Sequence, residues 1–185
     1  RSDGLRPLYE SIRSNFEHLD GHLNLFTPLQ RRLQRSAIHI GGKEIRNYCN
    51  DLFSNRFERH KVLLVSTDGF LELGIDCYAS TLYPAVINII DNALHWLNSV
   101  PSDRRIELHA DSSGIYISNN GPAIEPYDVQ RVFERGFSRK IGGRGLGLFI
   151  SAKALEAEGL ELQISETPRP GYVVTFAILF KRNGE

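Results

Sequence analysis

The eleven residues from Val86 to Trp96, VINIIDNALHW, constrain this chain more than any other stretch. Val86, Ile89, Ile90 and Ala93, with Leu97 just beyond, recur at three- and four-residue spacing, which predicts a helix with one buried face. Asn88, Asp91, Asn92 and His95 fall at i, i+3, i+4 and i+7, so they form a second, polar stripe along the same helix. A helix this apolar packs on most of its sides, and buried amides without partners cost roughly a few kcal/mol. The polar stripe therefore faces water, as a surface that happens to carry two asparagines, or it faces something that needs oxygen and nitrogen ligands.

Composition narrows the choice of partner. Hydrophobic residues make up 41% and charged residues 24% of 185 residues, the texture of a soluble globular chain of one large domain or one domain with an appendage. Lys and Arg together number 22, as do Asp and Glu, so there is no general pull toward nucleic acid or an anionic membrane. Cys49 and Cys77 form neither a disulfide framework nor a metal spacing, which points to a reducing, cytoplasmic setting. No signal peptide or apolar run of membrane length is present. The chain contains no methionine and starts at Arg1, so it reads as an excerpt of a longer protein, with room upstream for a sensor or membrane segment.

Residues 1–60 read as an antiparallel helical hairpin. Leu5, Leu8, Ile12, Phe16 and Leu19 keep helical spacing, and the pattern resumes through Leu25, Leu29 and Leu33, with Pro28 as a kink or first turn. Gly41-Gly42 reads as the turn, within a break from Ile38, and a second helix follows from Lys43 to about Arg59. Such a hairpin packs on a second copy, as a dimerisation element, or caps the next domain. Residues 61–185 change texture: strands are expected at Val62–Thr67, Ile75–Tyr78, Arg105–His109, Gly114–Ser118, Leu160–Ser165 and Tyr172–Phe180. Besides the Asn-bearing helix, capped by Ser80 or Thr81 with Pro84 in its first turn, helices are expected at Glu125–Phe133 and Leu146–Glu158. Strands and helices mix without strict alternation, so the fold class is α+β.

Three further stretches carry potential chemistry. SNNGPAI (Ser118–Ile124) closes a strand with a turn tight enough for backbone to approach a flat ligand. VFERGFSRK (Val132–Lys140) combines aromatic and basic residues. GGRGLGLFI (Gly142–Ile150) runs glycines 143, 145 and 147 into an apolar helix, whose exposed N–H groups would favour phosphate. Each alone also reads as an ordinary turn, helix tail or flexible connector.

Taken in order, N-x-x-x-N, N-x-G-x-x-I, F-x-x-G-F and G-x-G-x-G resemble the GHKL superfamily of gyrase-, Hsp90-, histidine kinase- and MutL-type ATP-binding domains, over roughly Lys61 to Phe180. The resemblance implies a two-layer α/β sandwich of the Bergerat type, with ATP held under a lid at about Pro126–Gly143. It implies that Asn92 ligates Mg²⁺ and that Asn88, one turn earlier, joins it at the metal and phosphates. His95 falls where many histidine kinases carry a phosphate-binding Lys, and Trp96 where an aromatic packs on adenine, if it is not a core indole. Asn119 stands in place of the usual adenine-reading Asp, with Gly121, Ala123 (for a usual Gly) and Ile124 beside it. Asn can still accept a hydrogen bond there, but the charge is gone. Phe137, Ser138, Gly143, Arg144, Gly145, Leu146, Gly147 and Leu148 would line the phosphates. Arg135, Arg139, Lys140 and Arg144 would supply lid cations, and Thr175 matches a family Thr near the pocket.

Within the superfamily, the hydrolysing members carry a Glu where this chain has Asn88, and an amide cannot act as a general base. The pocket therefore resembles that of the histidine kinase branch, whose nucleophile comes from another domain. In that branch the acceptor lies in H-E-x-x-x-P-L. Here LNLFTPL (Leu23–Leu29) fits the frame at Thr27-Pro28-Leu29, but Leu23 and Asn24 replace the His and the acid. His22 lies one residue away, about 100° round the helix, as a displaced acceptor or an exposed helix histidine. Three readings follow: a divergent histidine kinase core that is dimeric through its hairpin and serves a response regulator or other phosphoacceptor; an ATP-binding pseudokinase switch; and a slow GHKL ATPase, which Asn88 disfavours.

Overall fold

A computed structural model describes residues 36–180. His22, and with it the first arm of the expected hairpin, lies outside the described residues. The described residues from Ala37 form one compact unit.

That unit opens with a strand, β1 (Ile38–Gly41), where a break was expected, and Gly41-Gly42 leads into helix α1 (Gly42–His60). β1 pairs antiparallel with β3 (Gly74–Cys77), so a partner more than thirty residues away turns a locally turn-like sequence into a strand. Helix α1 buries Ile45, Cys49, Phe53 and Phe57. That apolar stripe is therefore used within this unit, against β2 (Val62–Ser66), the short α2 (Asp68–Leu71) and the central helix. Thr67 caps α2 by accepting the Phe70 N–H at 3.2 Å, which converts the Asp68-Gly69 turn signal into a helical turn.

The central helix, α3, runs Ala79–Leu97 and starts earlier than its cap signals suggest. The Thr81 and Leu82 N–H groups both reach the Tyr78 carbonyl, and the Thr81 hydroxyl goes to Glu158 instead of capping. Pro84 therefore lies in the second turn, where it removes a backbone donor from the ladder. The main sheet follows as β4 (Arg104–Asp111), β5 (Gly114–Asn119), β6 (Leu160–Ile164) and β7 (Val174–Phe180), in the order β2-β4-β5-β7-β6. Only β2–β4 is parallel. Helix α4 (Gly147–Ala157) lies beside α3 and β6.

Alternation along the paired strands sorts the side chains between the two sheet faces. Ile106, Leu108, Ile115, Ile117, Phe176 and Ile178, each at most 4% exposed, share the face that meets the helices. From α3 they meet Leu82, Ile89, Ile90, Leu94 and Leu97, none more than 1% exposed. Each such side chain contributes about 1.5–3 kcal/mol by leaving water. This is the expected α+β, two-layer sandwich, and its core lies directly beneath the polar stripe of α3.

Candidate nucleotide site

The stripe on α3 divides its labour. Asn88 donates its amide to the Gly147 carbonyl at 3.2 Å and to the Ser151 hydroxyl at 2.9 Å, so it pins the first turn of α4 to the central helix. Gly147 and Ser151 are one turn apart on α4, which is why one amide reaches both. The Asn88 Oδ1 and the whole Asn92 carboxamide have no hydrogen-bond partner among the described residues. Both oxygens are available to a ligand. Helix α4 begins at Leu146 with no side-chain cap, leaving its first N–H groups available to an acceptor.

The floor is built at the end of β5. Asn119 is 4% exposed, and its Oδ1 accepts the Gly121 N–H at 3.0 Å. A Cβ on Gly121 would lie 2.8 Å from that oxygen and 3.6 Å from the Trp96 Cβ, so a side chain there would displace the Asn119 oxygen, and the turn lies within van der Waals reach of the end of α3. Trp96 is 37% exposed and meets His95 edge-on at 5.0 Å; it is no core indole. Ile124 is half-buried and Ala123 exposed beyond the turn. Thr175 is placed differently. It is the register partner of Ser118, their hydroxyls 2.8 Å apart, and alternation puts the pair on the sheet face away from Asn119 and Phe176.

Residues 126–146, which include the expected lid, run between the Asn119–Ile124 turn and α4. The expected helix Glu125–Phe133 is two 3₁₀ turns, Pro126–Asp128 and Arg131–Phe133. Buried Asp128 takes a two-pronged hydrogen bond from Arg139 (2.9 and 3.2 Å) and a longer one from Arg131 (3.5 Å). Both guanidinium groups lie over the Phe137 ring, at 5.7 and 4.5 Å. Gly136 N–H donates to the Gly145 carbonyl at 2.9 Å and closes the loop. Gly145 has φ +61°, and a Cβ there would meet the Gly136 and Phe137 backbone at 2.4 Å, so only glycine fits. Ser138 Oγ accepts the Lys140 N–H, and Gly143 N–H reaches the Lys140 carbonyl. Phe133 packs edge-on against Phe176, anchoring the lid to the sheet.

The four expected lid cations thus separate. Arg139 braces the lid from within, while Arg135 and Arg144 are exposed. Lys140 reaches across to Asp91 on α3, Nζ to Oδ2 3.2 Å, and Arg56 of α1 takes the other oxygen at 2.7 Å. Burial alone would push the Asp91 carboxyl upward, but Lys140 and Arg56 outweigh it and hold it below the ordinary carboxylate value. His95 is pushed below the usual histidine value, first by burial and then by Lys140, so it presents a neutral ring at pH 7. Asp128, Arg131, Ser151 and Arg56 were not picked out by sequence reasoning. Only Ser151 had a local signal, its helical spacing from Gly147.

A two-layer sandwich, an uncapped helix start, amide oxygens on the facing helix and a glycine turn are together an arrangement able to receive a phosphate-bearing ligand. Residues 77–182 match the family of histidine kinase-, DNA gyrase B- and HSP90-like ATPases, and the chain belongs to that family, in its histidine kinase branch. Residues 1–35 match a second family, the HEF_HK domain. The chain is 30% identical over 104 residues to a probable C4-dicarboxylate sensor kinase of Bacillus subtilis (strain 168), over 53% of its own length and 19% of that protein's. It is 37% identical over 97 residues to the signal transduction histidine-protein kinase/phosphatase MprB of Mycolicibacterium smegmatis, over 48% and 19%. It therefore spans about a fifth of the length of these relatives. The fold is also that of the catalytic domain of histidine kinase ThkA (TM-score 0.63, 22% identity, 78% of this chain and 95% of that one). ThkA in complex with the response regulator protein TrrA superposes at 0.65, with 16% identity, over 97% and 52%. The described residues hold the ATP-binding catalytic domain expected from the sequence, and none of their helices is long and apolar enough to cross a membrane.

Proposed function

We propose that this chain binds Mg-ATP between α3, the Asn119–Ile124 turn and the start of α4, and passes the γ-phosphoryl group to a histidine. Asn92 and the free Oδ1 of Asn88 suit Mg²⁺, which takes oxygen ligands and bridges phosphates. The bound ion would supply charge neutralisation. The N–H groups at the start of α4 would hold the phosphate oxygens, with Lys140, Arg135 and Arg144 as nearby cations. Asn119 and Gly121 would set the plane and edge of adenine, and Trp96 would lie against the ring.

The observation that carries this reading is Asn88. It is an amide, already engaged with Gly147 and Ser151, so it cannot take a proton from water. The site is thus suited to hold ATP for an outside nucleophile, and we take that nucleophile to be an imidazole, either His22 in cis or a histidine on a partner. A homodimer formed through residues 1–35, working on the cytoplasmic side and delivering phosphate to a response regulator, completes the proposal. A second reading is an ATP-binding switch without transfer, which Leu23 and Asn24, in the places of the acceptor and its acid, favour.

Incubation with γ-labelled Mg-ATP separates the two. Acid-labile label on the chain, lost in His22→Ala, is the expected result. An unlabelled chain that still binds nucleotide, and that labels no histidine-bearing partner, contradicts transfer and leaves the switch.

A further inference from the structure

We infer that Asp91 is a latch that holds the lid's Lys140 in competition with the nucleotide's phosphates, and that Arg56 sets the strength of that latch from helix α1. The inference rests on the Mg-ATP reading above. Asp91 lies beside Asn92 and one turn from both Asn88 and His95, in the middle of the stripe that faces the ligand. Its two oxygens are divided between elements far apart in the chain: Oδ2 to Lys140 at 3.2 Å and Oδ1 to Arg56 at 2.7 Å. Lys140 is thereby held over the phosphate side of α3, with 21% of its side chain exposed against 46% for Asp91.

A polyphosphate arriving at the start of α4 brings more negative charge than one carboxylate. An ammonium already paired at the stripe can exchange one partner for the other at modest cost, because the carboxylate it leaves is nearly half exposed and keeps Arg56. Arg56 remains to keep Asp91 charged and compensated after Lys140 has left. Two cations sharing one carboxylate weaken each other's hold, so Arg56 makes the latch easier to open. The lid's other braced cation, Arg139, offers a contrast: its carboxylate, Asp128, is only 6% exposed and takes both prongs of the guanidinium, a pair suited to stay closed.

The test is a double-mutant cycle on the full chain, reading Kd for Mg-ATP by calorimetry in Asp91→Asn, Lys140→Met and the double variant. The latch predicts that Asp91→Asn tightens binding about two- to fivefold while Lys140 is present, the fold-change set by an ion pair of this exposure. In the Lys140→Met background the same change should alter Kd by less than about twofold. Equal tightening in both backgrounds would mean simple repulsion between Asp91 and phosphate, and would overturn the latch. Weaker binding in Asp91→Asn would overturn it as well, because Asp91 would then be supporting the bound state. If the parent chain shows no Mg-ATP binding, the nucleotide reading itself fails, an outcome distinct from either of these.

Discussion

Asn119 and Lys140, two residues of the proposed site, are held by opposite means. Asn119 is 4% exposed, its oxygen is fixed by a backbone N–H two residues on, and a Cβ on Gly121 would press on that oxygen. Lys140 is held by one carboxylate that is nearly half exposed and shared with Arg56. The turn after β5 is set by packing and backbone geometry, whereas Lys140 is held by an ion pair that water and ligand can replace. A site built this way recognises its ligand on one wall and changes on the other.

The comparison is broken most severely from below. Ile90 is fully buried between the polar stripe and the sheet. Ile90→Ala should lower global stability by about 2–5 kcal/mol in urea denaturation, through lost burial and an unfilled cavity. A change well under that range would mean that the floor is not the rigid part. Cutting the lid's internal brace should act locally instead. Asp128→Ala leaves Arg131 and Arg139, each about half exposed, free to be solvated, so the cost is expected near 1–2 kcal/mol. It should be read as faster amide exchange at Gly136 and Gly145, with a much smaller shift in the urea midpoint. Equal loss in lid and core would erase the distinction.

Acid sharpens it further. His109 is pushed below the usual histidine value by burial, with Arg169 adding to the effect. His60 and His95 shift the same way, again mainly through burial. A folded pKa below the unfolded one means that the unfolded chain binds more protons in between. Stability should therefore be fully present above about pH 6.5 and fall as pH drops through the folded values. The urea midpoint is expected to drop from pH 7.5 to 5.5, and His109→Gln should flatten part of that slope. The smallest effect expected is on thiol chemistry. Burial pushes Cys49 and Cys77 up to about 12, so neither should react with an alkylating reagent at pH 8 until the chain is unfolded.

Much of this was legible because it is local. The apolar period of α3, the glycine turn after β5 and the glycines before α4 each carry their own signal within a dozen residues, and their order carried the family. What the sequence concealed depends on distant partners. Ile38–Gly42 reads as a break until Gly74–Cys77 supplies a partner strand. Glu125–Phe133 has helical composition, but it is short, and its Asp128–Arg131 pair at i, i+3 suits the tighter 3₁₀ turn. Thr175 matches by motif, yet a register of one residue decides its face, and its hydroxyl goes to Ser118. Asp91 stood visibly on the stripe; its two cations come from a helix thirty-five residues upstream and a lid forty-nine residues downstream, which no periodicity reports.

The most direct test of the central claim is calorimetric titration of Mg-ATP into the full chain and into Asn92→Ala, with far-UV dichroism to confirm that both are folded. Binding to the parent chain, and its loss by at least about tenfold in the folded variant (roughly 1.4 kcal/mol), is the predicted result. Unchanged affinity in a folded Asn92→Ala would contradict the assignment of the α3 stripe as the metal–phosphate wall of the site.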